Sequence, residues 1–131
     1  MVKKTPSPAK LRELVMQALY QKEMSGSSNT DLIKQFKQDY KNLNLKNFET
    51  DLKEIKRNIL DIDSTIGKHA NINIDQISKI ELAILKQAIY EIKKSNLDKP
   101  VIISEAIRLA KRFGQDSSHK FVNALLDKAA N

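Results

Sequence analysis

Apolar positions recur at helical spacing along nearly the whole chain. From Leu11 they fall at Leu11, Leu14, Val15, Ala18 and Leu19, the series that lays one stripe along a 3.6-residue helix. Ser7 reads as the N-cap of this helix, Pro8 as its first residue, and Ser25-Gly26 as its end. Leu32, Ile33, Phe36, Tyr40 and Leu43 predict a second helix, opened by Asn29 or Thr30 and lost between Asn42 and Asn47. Phe48, Leu52, Ile55, Ile59, Ile62 and Ile66 alternate steps of four and three, which predicts one long third helix capped by Asn47 and closed by a left-handed Gly67. Asn73 and Gln76 pair as a cap and its N3 partner ahead of a broad apolar face, Ile77, Ile80, Ile84, Leu85, Ala88, Ile89 and Ile92. That segment should lie at the centre of the fold, with room for a break near Ser78.

Ser95 to Pro100 reads as a turn, because the residue before proline is pushed out of the helical region. Val101, Ile102 and Ile103 have no second strand to pair with, so they read as an extended lead into a helix capped near Ser104 and closed by Gly114. Asp116-Ser117-Ser118 opens the last helix, with Phe121, Val122, Leu125, Leu126 and Ala129 facing inward. The fold class expected is all-α, six or seven helices packed as bundles in one domain over residues 1–131.

Composition narrows the function classes. The chain is 40 % hydrophobic, too apolar for a disordered tail. With no Cys and two isolated His it offers no disulfide and no evident metal site, which suits a reducing cytoplasm. Gly26, Gly67 and Gly114 stand alone, so no phosphate-cradling glycine loop is present and no nucleotide cofactor is expected. No apolar run reaches the ~20 residues of a membrane span, and Lys3 and Lys4 lead into Thr5-Pro6-Ser7-Pro8 rather than a signal core.

Lys and Arg number 23 against 16 Asp and Glu, a net charge of +7 that suits an anionic partner. One cationic segment, Lys3, Lys4, Lys10 and Arg12, straddles the start of the first helix, where the helix dipole adds to its field. A second, Lys111, Arg112 and Lys120, flanks the turn before the last helix. Catalytic arrangements are missing. Asp61 and Asp63, two apart on a helix, point to different sides and read as solvated surface. His69 has no neighbouring acid to orient it. His119 beside Ser117 and Ser118 lacks an orienting acid and an oxyanion hole. Tyr20 lies beside the first stripe rather than in it, so its ring either tucks against the core boundary, the closer fit to spacing alone, or anchors a partner. By spacing alone, Glu81 is a solvated acid.

Three blocks carry a family resemblance. They are Arg12-Glu13 with Gln17-Ala18-Leu19-Tyr20-Gln21; Ile80-Glu81 with Ala83-Ile84-Leu85 and Ala88-Ile89-Tyr90-Glu91; and Glu105-Ala106-Ile107, Leu109-Ala110-Lys111, Phe113-Gly114, Ser118-His119-Lys120-Phe121-Val122-Asn123 and Leu126-Asp127-Lys128. In this order they resemble the NusB family of bacterial transcription antitermination factors, most specifically in the last block and least from Ser25 to Asn73. The resemblance implies two perpendicular three-helix bundles and no enzyme activity. It also implies a heterodimer with NusE, a small-subunit ribosomal protein, that binds the boxA element of nascent single-stranded RNA within the transcription elongation complex, notably in ribosomal RNA operons. The free protein would be either a monomer or a homodimer.

Carried over residue by residue, the family's RNA-facing positions fall on Lys3, Lys4, Lys10, Arg12, Gln115, Ser118 and Lys120, and its NusE-facing positions on Tyr20 and Glu81. This chain departs from the family in having lysine where arginine is common at the N-terminus, and Ser117 where an acid is common before Ser118. Fewer bidentate phosphate contacts follow from the first departure. Two other readings compete. The same helical domain fronts some ribosomal RNA cytosine methyltransferases, though a chain ending at Asn131 leaves no room for a methyl-donor domain. The alternative is a scaffold that binds protein alone.

Overall fold

The computed structural model describes residues 2–94 and 98–131. Among them are seven α-helices and no strand; the one β-like feature is an isolated bridge between Lys4 and Leu43. The helices are α1 (Pro8–Ser25), α2 (Asn29–Asp39), α3 (Lys46–Arg57), α4 (Ile59–His69), α5 (Lys79–Lys94), α6 (Lys99–Phe113) and α7 (Ser118–Ala130), with a 3-10 turn at Ile74–Gln76 before α5. The all-α expectation holds. No described helix is long and apolar enough to cross a membrane.

Local chemistry explains most boundaries. Ser7 Oγ accepts from the Lys10 N–H at 3.1 Å, Pro8 takes the first turn of α1, and Gly26 closes the helix at φ 71°, a backbone angle that a side chain would strain. The Asn73–Gln76 capping box forms around the 3-10 turn, and Ser78 Oγ then accepts from the Glu81 N–H at 3.2 Å, so the break near Ser78 is present.

Five expectations need correction. The long third helix is two, because Asn58, at φ −102° and ψ 13°, turns its side-chain amide onto the Glu54 carbonyl at 2.7 Å and interrupts the ladder. Gly67 consequently lies inside α4 rather than at a left-handed end, and α3 starts at Lys46 beyond Leu45, with Asn47 inside the helix. The 101–103 segment is helical, since α6 already begins at Lys99 after Asp98. Pro100 sits in the first turn, where its missing N–H has no partner to lose, and Ile102 is 1 % exposed. Of the expected turn, Ser95, Asn96 and Leu97 lie outside the described residues. Finally, Asp63 is half-buried, facing the Lys86 ammonium at 3.8 Å, while Asp61 is exposed and pairs with Lys93 at 3.1 Å.

Helices α1–α3 form one three-helix group and α5–α7 a second, and α4 packs on α3, α5 and α7. Helix α5 touches α1, α3, α4, α6 and α7, the central position its apolar face called for. Its residues Leu82 to Tyr90 are all buried. Because α1 packs on both α3 and α5, burial on α1 also spreads beyond the Leu11–Leu19 stripe, to every residue from Arg12 to Met16.

Candidate nucleic-acid and partner interface

The cationic segment at the front of the chain divides into an exposed part and a buried part. Lys3 and Lys4 are exposed, and the Lys4 backbone is tied to the loop after α2 by its N–H to the Asn42 carbonyl at 2.9 Å and its carbonyl to the Asn44 N–H at 2.7 Å. That pairing fixes the arm against the loop between α2 and α3. Lys10 stands in the first turn of α1 with its side chain 41 % exposed, its ammonium 2.9 Å from Glu13 Oε2 and 5.5 Å from the Tyr40 ring centre.

Arg12 is different. Its side chain is only 10 % exposed; Nε donates to both carboxylate oxygens of Glu91 at 3.0 Å, and Nη1 donates to Glu105 Oε1 at 3.3 Å. Burial opposes the Arg12 charge, but the Glu91 and Glu105 carboxylates outweigh it and hold its pKa above the ordinary value. The guanidinium is thus committed to joining α1, α5 and α6, and it is withdrawn from the surface on which the resemblance put it. Spacing alone could not show this, because the acids that hold it are remote in sequence.

At the other end, the α6–α7 turn is built on Ser118. Its hydroxyl, 1 % exposed, accepts from the Gln115 N–H at 3.0 Å, and its own N–H donates to the Gln115 carbonyl at 3.0 Å. Gly114 makes this closeness possible, since a Cβ there would stand 2.7 Å from both the Ala110 carbonyl oxygen and the Ser118 side chain. Ser118 therefore shapes the turn from beneath while Gln115 and Lys120 are exposed on it.

Tyr20, near the end of α1, is 37 % exposed rather than in the core. It lines a groove of about 630 Å³ with Met16, Met24, Ile80, Phe113 and Gln115, where α1, the start of α5 and the α6–α7 turn meet. Glu81 is half-buried next to Ile80 in the first turn of α5. The structure thus brings Tyr20 and Gln115 to the walls of one groove, leaves Glu81 at its edge, and sets Lys3, Lys4 and Lys10 at the opposite end of α1.

Sequence reasoning missed Arg108. Its Nε donates to Glu105 Oε2 at 2.9 Å and its Nη2 to the Ala9 carbonyl at 3.4 Å. The Arg108 hydrogen bond, against burial and aided by Arg12, holds the Glu105 carboxyl below the usual carboxylate range. The available signal was a spacing: Glu105, Arg108 and Arg112 follow one another at i, i+3 and i+7 on α6.

Exposed cations on one side and an aromatic groove on another define a helical recognition module that works through surfaces. The chain belongs to the NusB family, whose model matches residues 9–131. It is 39 % identical to the transcription antitermination protein NusB of Mannheimia succiniciproducens, over 98 % of this chain and 93 % of that one. It is 38 % identical to NusB of Escherichia coli O139:H28, over 91 % and 88 %. Among solved structures, NusB of T. maritima superposes with a TM-score of 0.84 at 28 % identity, covering 96 % of this chain and 92 % of that one. A NusB chain in a complex of the antitermination factors NusB and NusE with dsRNA gives 0.79 at 25 % identity, covering 93 % and 94 %.

Proposed function

We propose that this protein is a non-catalytic transcription antitermination factor of the cytoplasm. Paired with NusE, it holds boxA-type single-stranded RNA so that the transcription elongation complex reads through terminators, as in ribosomal RNA operons. Residues 1–131 act as one RNA- and protein-binding unit. Lys3, Lys4, Lys10, Gln115 and Lys120 receive RNA, Arg12 and Ser118 support that surface from below, and Tyr20 and Glu81 receive NusE.

The observation that carries this reading is the shared groove. Tyr20, expected to face protein, and Gln115, expected to face RNA, line the same depression, so a protein seated there would extend the RNA-binding surface. An aromatic ring with a polar tip is a good desolvated anchor, and Glu81 beside it complements a basic ribosomal protein. Phosphates would be met largely by point charges, because Lys3, Lys4, Lys10 and Lys120, the cations assigned here to RNA, are all lysines.

The test is capture from a bacterial lysate on the immobilised chain, with and without RNase. The expected result is NusE in both samples and boxA-containing transcripts only without RNase. NusE without RNA would leave the protein-only scaffold, and neither would overturn the reading.

A further inference from the structure

The two cationic segments, distant in sequence, touch through one buried carboxylate. Glu13 on α1 has a side chain only 6 % exposed, and its two oxygens are divided between two cations: Oε2 takes the Lys10 ammonium at 2.9 Å and Oε1 takes Nη1 of Arg112 from the last turn of α6. Arg112 is nevertheless 60 % exposed, and its guanidinium lies 4.8 Å from the centre of the Phe113 ring. One turn earlier on α6, Arg108 is tied to the Ala9 carbonyl. The last turns of α6 are therefore laced to the first turn of α1.

We propose that Lys10 and Arg112, spaced by Glu13, form one phosphate-binding subsite that joins the N-terminal arm to the α6–α7 turn as a continuous track for the RNA backbone. The proposal rests on the RNA-binding reading above and adds a contact to it. Its chemistry is direct. Two cations on one acid leave a surplus positive charge at the surface. Arg112 has five N–H donors, of which Glu13 engages one, so the exposed edge of its planar fork is open to phosphate oxygens. Glu13 is a positioning residue: buried beneath the pair, it fixes where both charges stand. Holding the fork between a carboxylate and an aromatic ring also lowers the side-chain entropy lost on binding.

The experiment is anisotropy titration of a fluorescein-labelled single-stranded boxA RNA with the full chain and NusE, over a series of salt concentrations. Arg112→Gln should weaken binding about three- to tenfold and reduce the slope of log K against log salt by ~0.7, the value of one phosphate contact on a single strand. Arg112→Lys, which keeps the charge, should retain the slope and recover part of the affinity. Melting curves identify any fold loss, and Arg112→Met, which keeps the apolar stem but removes the charge, carries the test with the same expected loss of slope if Arg112→Gln does not fold. Wild-type binding with an unchanged slope in Arg112→Gln, or a slope lost equally in Arg112→Lys, overturns the subsite and leaves the RNA-binding reading standing. A wild type with no affinity for the RNA overturns both.

Discussion

Replacing Arg12 by alanine separates a structural arginine from an RNA-binding one. The side chains involved are largely buried, Arg12 at 10 %, Glu91 at 14 % and Glu105 at 21 % exposure, and the change deletes three hydrogen bonds that join α1 to α5 and α6. Breaking a buried pair from one side typically costs about 3–5 kcal/mol. Here Glu105 keeps Arg108 at 2.9 Å, which places the expected loss near the lower end, about 3 kcal/mol. For a chain of this size that corresponds to a fall in melting temperature of roughly 10 °C. The penalty should also depend on pH. The Glu105 carboxyl is held low by Arg108, against burial and with help from Arg12. A depressed acid stabilises the fold above its unfolded-state pKa, and that contribution disappears as pH falls through the folded-state value. The difference between wild type and Arg12→Ala should accordingly shrink in acid. Thermal melts across pH, with RNA salt slopes measured below the melting temperature, make the assay. A melting temperature within ~2 °C of wild type, together with a lost phosphate contact, would refute the structural role and return Arg12 to the RNA surface.

Three further outcomes follow from the same geometry. Gly67→Ala, inside α4 with open space around its Cβ, should stabilise by about 0.5–1 kcal/mol, whereas Gly114→Ala, whose Cβ meets backbone at 2.7 Å, should destabilise by about 1–3 kcal/mol in chemical denaturation. Burial, then Glu23, raise the Asp63 carboxyl pKa against the pull of Lys86; a raised acid costs stability at neutral pH, so Asp63→Asn should melt higher than wild type at pH 7, by a margin that closes as the carboxyl protonates in acid. Tyr20→Asp and Glu81→Lys should each lower NusE affinity by about 2 kcal/mol or more in calorimetry, with little change in melting, because neither side chain is buried in the core.

The particular elements show where a sequence speaks and where it does not. Ser7, Gly26 and the Asn73–Gln76 box declare themselves because capping is local chemistry, settled within four residues. Asn58 does not, since the apolar steps continue through the break in unchanged register and only the backbone reports the interruption. The 101–103 segment misled because β-branched residues after proline favour extended chain locally, yet burial of Ile102 against the bundle overrides that preference. At the surface, the charges of Lys3, Lys4 and Lys120 were legible as charges. The commitment of Arg12 to Glu91 and Glu105, and the seating of Arg112 on Glu13, were hidden because their partners lie 79, 93 and 99 residues away. Tyr20 fell between these cases: its spacing fitted the core edge, and its exposure reveals the groove.

The central claim, that NusE and this chain build one RNA-binding surface across the Tyr20 groove, is tested most directly by the affinity for boxA-type single-stranded RNA with and without NusE. The account predicts that NusE tightens RNA binding at least tenfold, that this gain is abolished by Tyr20→Asp, and that affinity falls steeply with salt in both cases. Equal RNA affinity with and without NusE, under conditions where calorimetry shows the two proteins bound, would contradict it.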